Sequence, residues 1–335
     1  MITIYVHGLS QNFEASKSPE LSILFGLLNS TPLEKTPEFR KEYGSRYENK
    51  TSIYDYKNVL EYCNKNFEYS DDISKSDIIV FPNKFKGTDD PLYNILVNLA
   101  NKHKKKIFCF SVNDINKRTD NIKVFYDISE NTILYRTDFY LSQKKYNERF
   151  MIPSTWDLFS GIYIDNPKLS ISFCGDVSVY KRKYYLDILK NSNLNTDFIY
   201  RNSFFPGFPL YFQVQGTKEY IDNMSRNIFA FACRGDKNWS YRFFEIFMMG
   251  RIPIYINTDC VLPCANDIDY KKQCVFIEEN KIEDESYIIN KIVNFYEKNK
   301  NNLLDIQKQN RLIYEKYFSS IGNLEVIKKD IINNI

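Results

Sequence analysis

Short apolar runs rich in β-branched and aromatic residues alternate with longer segments of helical period from one end of this chain to the other. A continuous apolar run only a few residues long reads as a strand buried on both faces, and helices between such strands cover a parallel sheet on two sides. The chain is therefore expected to be α/β. Its 335 residues exceed what one core usually organises, so two domains are expected. In the first half the expected strands are 2–6, 77–82, 106–112, 122–126 and 132–136, with helices over 20–29, 55–66 and 90–101. Ser18-Pro19-Glu20 supplies a cap and a first-turn proline for the first of these helices.

Residues 151–169 hold Pro153, Gly161 and Pro167 without a sustained period and read as a linker. A second series follows, with strands at 170–174, 196–200, 228–233 and 252–256 and helices at 180–190, 217–226 and 239–249. Ile288 to Tyr296 and Leu303 to Tyr317 are helical by period, and the C-terminal helices are expected to pack back on the first half. Two Rossmann-like halves account for this order. The first spans 1–160 and the second 168–310, with 311–335 crossing back.

Composition narrows the function classes. Hydrophobic residues make up 43% of the chain and aromatics 16%, well clear of a disordered composition. The 45 Lys and Arg are interleaved with 42 Asp and Glu, so no basic stripe points to nucleic acid; the Lys102, Lys104, Lys105 and Lys106 run reads as a solvated turn. Seven cysteines, several inside apolar runs, argue for a reducing compartment, and Cys260 with Cys264 lacks a second pair at zinc spacing. Met1 to Val6 carries no basic lead, and no segment is apolar enough to span a bilayer. A cytoplasmic protein is expected, peripheral association with the inner face of a membrane being compatible with it. His7 and His103 are the only histidines, which excludes a multi-histidine metal site. There is no Gly-Lys-Ser, Gly-Lys-Thr or G-x-G-x-x-G string, which counts against kinases and simple dehydrogenases.

The most informative stretch is Ile228 to Cys233, Arg234-Gly235-Asp236-Lys237-Asn238, Trp239 to Met249, Gly250 and Ile252 to Ile256. It reads as strand, polar turn, helix, strand, and such a unit opens its ligand crevice at the carboxyl end of the first strand. Asn238 or Ser240 is placed to cap the helix and Gly250 to end it. Phe243, Phe244, Phe247 and Met248 form its buried stripe, which leaves Arg242 and Glu245 on another side, one turn apart. A helix start with a guanidinium in its first turn suits a diphosphate, and a carboxylate one turn further suits ribose hydroxyls. The same spacing also describes an ordinary exposed ion pair. Arg234-Gly235 adds a second cation and a permissive backbone where the crevice should open.

Cys233-Arg234-Gly235, Ser240-Tyr241-Arg242-Phe243-Phe244-Glu245, Gly250-Arg251-Ile252-Pro253-Ile254, Asp259 and Leu262-Pro263 occur in one ordered block. This block resembles the exostosin family, glycosyltransferase family 47, whose members carry a Pro-Arg-Gly turn, a Ser-x-Arg-x-x-Glu helix start and a Gly-Cys-Ile-Pro-Val strand. Cys233 stands where the family has proline. The resemblance implies a GT-B fold of two Rossmann-like domains facing a central cleft, the second holding the nucleotide-sugar donor and the first the glycan acceptor, with inversion at the anomeric carbon. Arg234, Gly235, Ser240, Arg242, Glu245 and Gly175 are then donor-site candidates, and Arg182 and Arg201 candidates for acceptor or phosphate contacts. Transfer is expected without a cofactor or an obligatory metal, fixed cations and dipoles absorbing charge on a leaving diphosphate, UDP in the favoured case. Asp114, His7 and Glu148 are alternative candidates for the base. A non-catalytic nucleotide- or sugar-binding scaffold, and a GT-B enzyme of another family, stand as alternatives.

Overall fold

The computed structural model describes residues 1–7, 56–111, 127–137, 140–152, 166–202, 210–235 and 237–335. Early in the chain come β1 (Ile2–Tyr5), α1 (Tyr56–Asn66), β2 (Phe67–Ser70), β3 (Ile78–Lys84), α2 (Pro91–His103), β4 (Ile107–Ser111), β5 (Thr132–Arg136) and β6 (Glu148–Phe150). They are followed by β7 (Lys168–Asp176), α3 (Arg182–Lys190), β8 (Thr196–Arg201), α4 (Leu210–Ser225), β9 (Asn227–Ala232), α5 (Tyr241–Met248), β10 (Ile252–Asn257), α6 (Tyr270–Gln273) and β11 (Val275–Glu278). Three helices close the chain, α7 (Glu285–Asn299), α8 (Leu303–Ile313) and α9 (Ser320–Ile332), with a π-helical turn at Tyr314–Phe318 before the last.

The chain divides into two compact units. One comprises Met1–Phe139, Gln143–Asp157 and Tyr317–Ile335; the other comprises Tyr140–Ser142 and Leu158–Lys316. Each is built on a parallel sheet, ordered β2-β1-β3-β4-β5-β6 in the first and β11-β10-β9-β7-β8 in the second.

Alternation along the strands divides the first sheet between two cores. Ile2, Ile4, Ile78, Val80, Phe108, Phe110, Ile133 and Tyr135 face Cys63 of α1 and Leu324, Ile327 and Ile331 of α9. Ile79, Phe81, Ile107, Cys109 and Leu134 face Tyr93, Leu96 and Ala100 of α2. Asp90 caps α2 through Leu92 N, Pro91 opens it, and Lys104 closes it in the left-handed conformation at φ 54°, which turns the basic run outward toward β4. The last helix thus completes the first unit's core, and Arg149 and Tyr135 both bind its Asp330. In the second unit one face of the sheet, including Ile171, Phe173, Phe229, Phe231, Ile254 and Ile277, packs on Tyr185, Leu186 and Leu189 of α3 and Ile288 and Ile292 of α7. On the other face Phe243 of α5 meets Tyr255 of β10 with ring centroids 4.5 Å apart.

The α/β class, the two Rossmann-like sheets and the return of a C-terminal helix to the first unit are therefore present. The strands β2, β6 and β11 lie outside the expected set. Strand β7 starts at Lys168, inside the segment read as linker. Helix α5 begins only at Tyr241, because Ser240 before it is extended at φ −151°, ψ 136°. The expected helix 20–29, the strand 122–126 and Asp114 fall outside the described residues.

Candidate active site

Read from β8, the second sheet runs 2-1-3-4-5 in its own chain order, so the direction of winding reverses between β7 and β9. At such a switch point the loops leaving neighbouring strands diverge and leave a crevice beyond their carboxyl ends. Gly175 and Asp176 end β7 there, and Cys233 and Arg234 follow β9. Arg182, which opens α3, joins the two loops. It donates from Nη1 to Asp176 O at 2.6 Å and from Nη2 to Arg234 O at 3.2 Å, and it is 8% exposed. Its guanidinium is thereby committed to backbone carbonyls, which gives it the role of a brace for the crevice rather than a free phosphate contact.

Arg242 sits in the first turn of α5 and reaches back over β7. Its guanidinium lies 4.3 Å from the Phe173 ring centroid and 4.9 Å from that of Tyr220, and Nη2 donates to Cys174 O at 2.7 Å. The close approach explains Gly175. Its φ is +157°, and a Cβ there would stand 2.6 Å from Arg242 Nη2, so the glycine makes room for the arginine itself. Burial pushes the neighbouring Cys174 thiol up to about 11 against the pull of Arg201 and Arg242, which leaves it protonated and unreactive at neutral pH.

Glu245 lies one turn beyond Arg242 but is only 9% exposed. It is buried along with Phe243, Phe244, Phe247 and Met248, so the carboxylate belongs to the packed part of the helix and not to an open face. Tyr220 Oη donates to Glu245 Oε2 at 2.5 Å. Burial raises the Glu245 pKa, while the Tyr220 hydrogen bond and the Arg242 charge oppose the rise. The pair is thus no exposed surface ion pair. It is a part-buried assembly around the buried Glu245, and its third member, Tyr220, comes from α4.

Arg234, just after β9, has its guanidinium 4.8 Å from the Tyr180 ring centroid, and Nη1 donates to Tyr140 Oη at 3.0 Å. Tyr180 has φ 49° and donates to both oxygens of Glu279 just beyond β11, which also accepts from Tyr185 and pairs with Lys181 at 3.2 Å. Burial raises the Glu279 pKa, but these donors outweigh it and hold the carboxylate ionised below its usual range. Gly235 is placed differently from expectation. It is not among the positive-φ glycines, and a Cβ there would meet Trp239 O at an ordinary 3.7 Å, so no special backbone freedom is needed. Ser240 occupies the cap position of α5 but makes no side-chain cap bond. Asn238 instead ties the turn to the loop after β10, accepting from Thr258 Oγ1 at 2.5 Å and donating to Asp259 O at 3.2 Å. Arg201, at the end of β8, donates to Gly216 O at 3.0 Å and pairs with Glu219, which directs it to α4.

The base candidates belong to the first unit, whose sheet has its own switch point between β1 and β3. His7 follows β1 at that point, and its Nδ1 shares a 2.8 Å hydrogen bond with Tyr5 Oη. Glu148 opens the edge strand β6, is 1% exposed, pairs with Arg136 Nη2 at 2.9 Å and accepts from Lys145 N at 2.9 Å. Held in this way the buried carboxylate pairs with a largely covered cation and braces the edge of the sheet. Asp114 lies outside the described residues.

Among the described residues no group of three His, Cys, Asp or Glu side chains could hold a metal ion. The expectation of metal-free transfer must still accommodate Asp267-Ile268-Asp269, an Asp-x-Asp string in the second unit. Both carboxylates are exposed, and Asp269, at the N-cap position of α6 without a side-chain cap bond, pairs with Lys272 at 3.2 Å. Among the described residues no helix is long and apolar enough to cross a membrane.

Sequence reasoning missed Tyr220, Tyr140, Tyr180 and Glu279. Their link to the site is tertiary, and the only signal in the chain is an aromatic or acid near the carboxyl end of a strand or on a helix beside it.

The model of the Exostosin GT47 domain matches residues 172–292. Exostosin-1 of Drosophila melanogaster is 25% identical over 114 residues, 34% of this chain and 14% of the relative. A probable glucuronosyltransferase 47 A of Physcomitrium patens is 40% identical over 63 residues, 19% of this chain and 14% of the relative. The matches thus span about a seventh of the length of these relatives. Among solved structures, Arabidopsis thaliana UGT89C1 complexed with UDP aligns over 99% of this chain and 100% of its own at 11% identity and a TM-score of 0.37. Acinetobacter baumannii MurG aligns over the same shares at 9% identity and a TM-score of 0.36. Likenesses this distant carry no weight here, and the fold rests on the two sheets themselves. The family match runs from within β7 to within α7 and takes in Gly175, Arg234, Arg242 and Glu245, so this part of the chain is similar to the exostosin GT47 domain.

Proposed function

We propose that this protein is an inverting glycosyltransferase of GT-B type that moves a sugar from a nucleotide-sugar, a UDP-sugar in the first instance, to a hydroxyl of a glycan acceptor. The observation that carries the reading is the Arg242 guanidinium, set over Gly175 at the switch point of a sheet inside the GT47 match. A donor diphosphate would lie across the start of α5, where the positive end of the helix and the Arg242 guanidinium meet it, with Arg234 as a second cation. Glu245 would accept from the ribose. As the acceptor oxygen bonds to the anomeric carbon, the bond to the diphosphate breaks, and the fixed cations take up the charge that develops on the leaving oxygen. The acceptor proton would go to a base of the first unit, for which His7 and Asp114 remain the candidates once Glu148 is given to its pair with Arg136.

The chemistry would need no metal, since guanidinium groups supply the positive charge. Work at the cytoplasmic face of a membrane, without insertion, is part of the same reading. The test is donor hydrolysis and transfer with a panel of sugar nucleotides, UDP-glucuronic acid included because two of the relatives are named probable glucuronosyltransferases. Turnover that survives a chelator supports the reading. Nucleotide binding without turnover on any donor and acceptor pair would replace it with that of a binding scaffold.

A further inference from the structure

Tyr220 touches both members of the donor clamp from an element that carries neither of them. Its ring forms one wall of the slot that holds the Arg242 guanidinium, with Phe173 as the other, at 4.9 and 4.3 Å from the ring centroids. Its hydroxyl donates to Glu245 Oε2 at 2.5 Å. A guanidinium between two aromatic faces keeps its plane, and the bond from Nη2 to Cys174 O fixes its rotation within that plane. The remaining N–H groups of the fork are then aimed without freedom of their own.

The carboxylate needs help of another kind. Glu245 is buried on a helix among Phe244, Ile246 and Phe247, where desolvation favours the neutral acid. A protonated acid is a poor acceptor for a ribose hydroxyl. The charged and titratable groups that face Glu245 are the Tyr220 hydroxyl from α4 and the Arg242 guanidinium from its own helix, with the Cys174 thiol of β7 acting on Tyr220. Both of the first two favour the carboxylate.

We propose that Tyr220 is the positioning residue of the donor site, its ring setting the plane in which Arg242 meets a diphosphate and its hydroxyl keeping Glu245 a hydrogen-bond acceptor for the ribose. This role rests on the donor reading above. It extends that reading by making α4 part of the nucleotide site, so that the ring and the hydroxyl act on different halves of the ligand.

The two functions separate in two substitutions. Tyr220→Phe keeps the ring and removes the donor, so Glu245 titrates at higher pH; UDP affinity measured by calorimetry falls about tenfold at neutral pH and recovers toward that of the parent as pH rises. Tyr220→Leu removes the ring as well and weakens UDP binding at every pH. In a Glu245→Gln background Tyr220→Phe has no further pH-dependent effect. Thermal unfolding without nucleotide gives an independent arm. An acid with a raised folded-state pKa binds more protons in the folded state, so stability falls as pH rises through the window between the unfolded and folded values. Tyr220→Phe widens that window and enlarges the total loss across it, and Glu245→Gln removes the share that Glu245 contributes.

Parent-like UDP affinity at every pH in Tyr220→Phe, with an unaltered dependence of unfolding on pH, overturns the role of Tyr220. A parent protein that does not bind UDP, or an Arg242→Ala variant that binds it equally well, overturns the donor reading and this role with it. The unfolding arm still reports in that case whether Tyr220 controls Glu245, so the two failures are told apart.

Discussion

A guanidinium is held in one orientation at little cost when a carbonyl takes one of its N–H groups and π faces cover its plane, and the half-buried Arg242 has Cys174 O, Phe173 and Tyr220 in those places. This arrangement explains why position 175 is glycine. Gly175→Ala would put a Cβ 2.6 Å from Arg242 Nη2 at a φ that side chains rarely adopt. It is predicted to destabilise the second unit by about 1–3 kcal/mol and to weaken nucleotide binding together with stability, as thermal unfolding and titration of the same samples would show. Cys174 and Cys233 next to the site have thiols raised by burial. Thiol reagents at neutral pH are predicted to leave both unmodified in the folded protein, with mass spectrometry of the alkylated peptides as the check.

At the scale of elements, the difference between expected and observed strands has one physical pattern. The strands that periodicity missed are β2, β6 and β11, each three or four residues long and each at the edge of its sheet. An edge strand is buried on fewer sides than a central one. Phe67–Ser70 therefore lacks the continuous apolar run that made Ile107–Ser111 legible. The site was legible to the same degree. Arg242, Glu245 and Arg234 could be read because they stand in one strand-turn-helix block, whereas Tyr220 and Glu279 reach them only through tertiary packing. Spacing placed Glu245 away from the stripe, and a tyrosine from another helix covers it.

Two predictions belong to this scale. Ile327→Ala, in a helix that contributes fully buried side chains to the first unit's core, is predicted to cost about 2–5 kcal/mol in urea unfolding. Asp197 on the edge strand β8 is held below its usual pKa, chiefly by Arg226 and also by Asn227, against the opposing effect of burial. A depressed carboxyl stabilises the fold above its unfolded pKa, and that contribution disappears as pH falls through the folded value. Asp197→Asn should therefore lower the unfolding midpoint at neutral pH and match the parent once the pH lies well below about 3.9, the ordinary value for Asp.

At the scale of the whole molecule each unit has its own parallel sheet and its own switch point. The GT47 match and every donor candidate lie in the unit that contains Leu158–Lys316, and His7 and Glu148 lie in the other. Hydrogen exchange with saturating UDP is accordingly predicted to slow in the loops after β7 and β9 and in the first turn of α5. The interior of the first sheet should be unaffected. Protection confined to the first unit would assign the nucleotide to the wrong half of the chain.

If Arg242 grips the diphosphate of the donor, calorimetric titration of UDP into the parent and the Arg242→Ala variant will separate the two proteins. A hydrogen bond to a charged group is worth about 1.5–3 kcal/mol, so the account predicts an affinity about tenfold to a hundredfold weaker in the variant. A parent that binds UDP and a folded variant that binds it equally well would contradict the account.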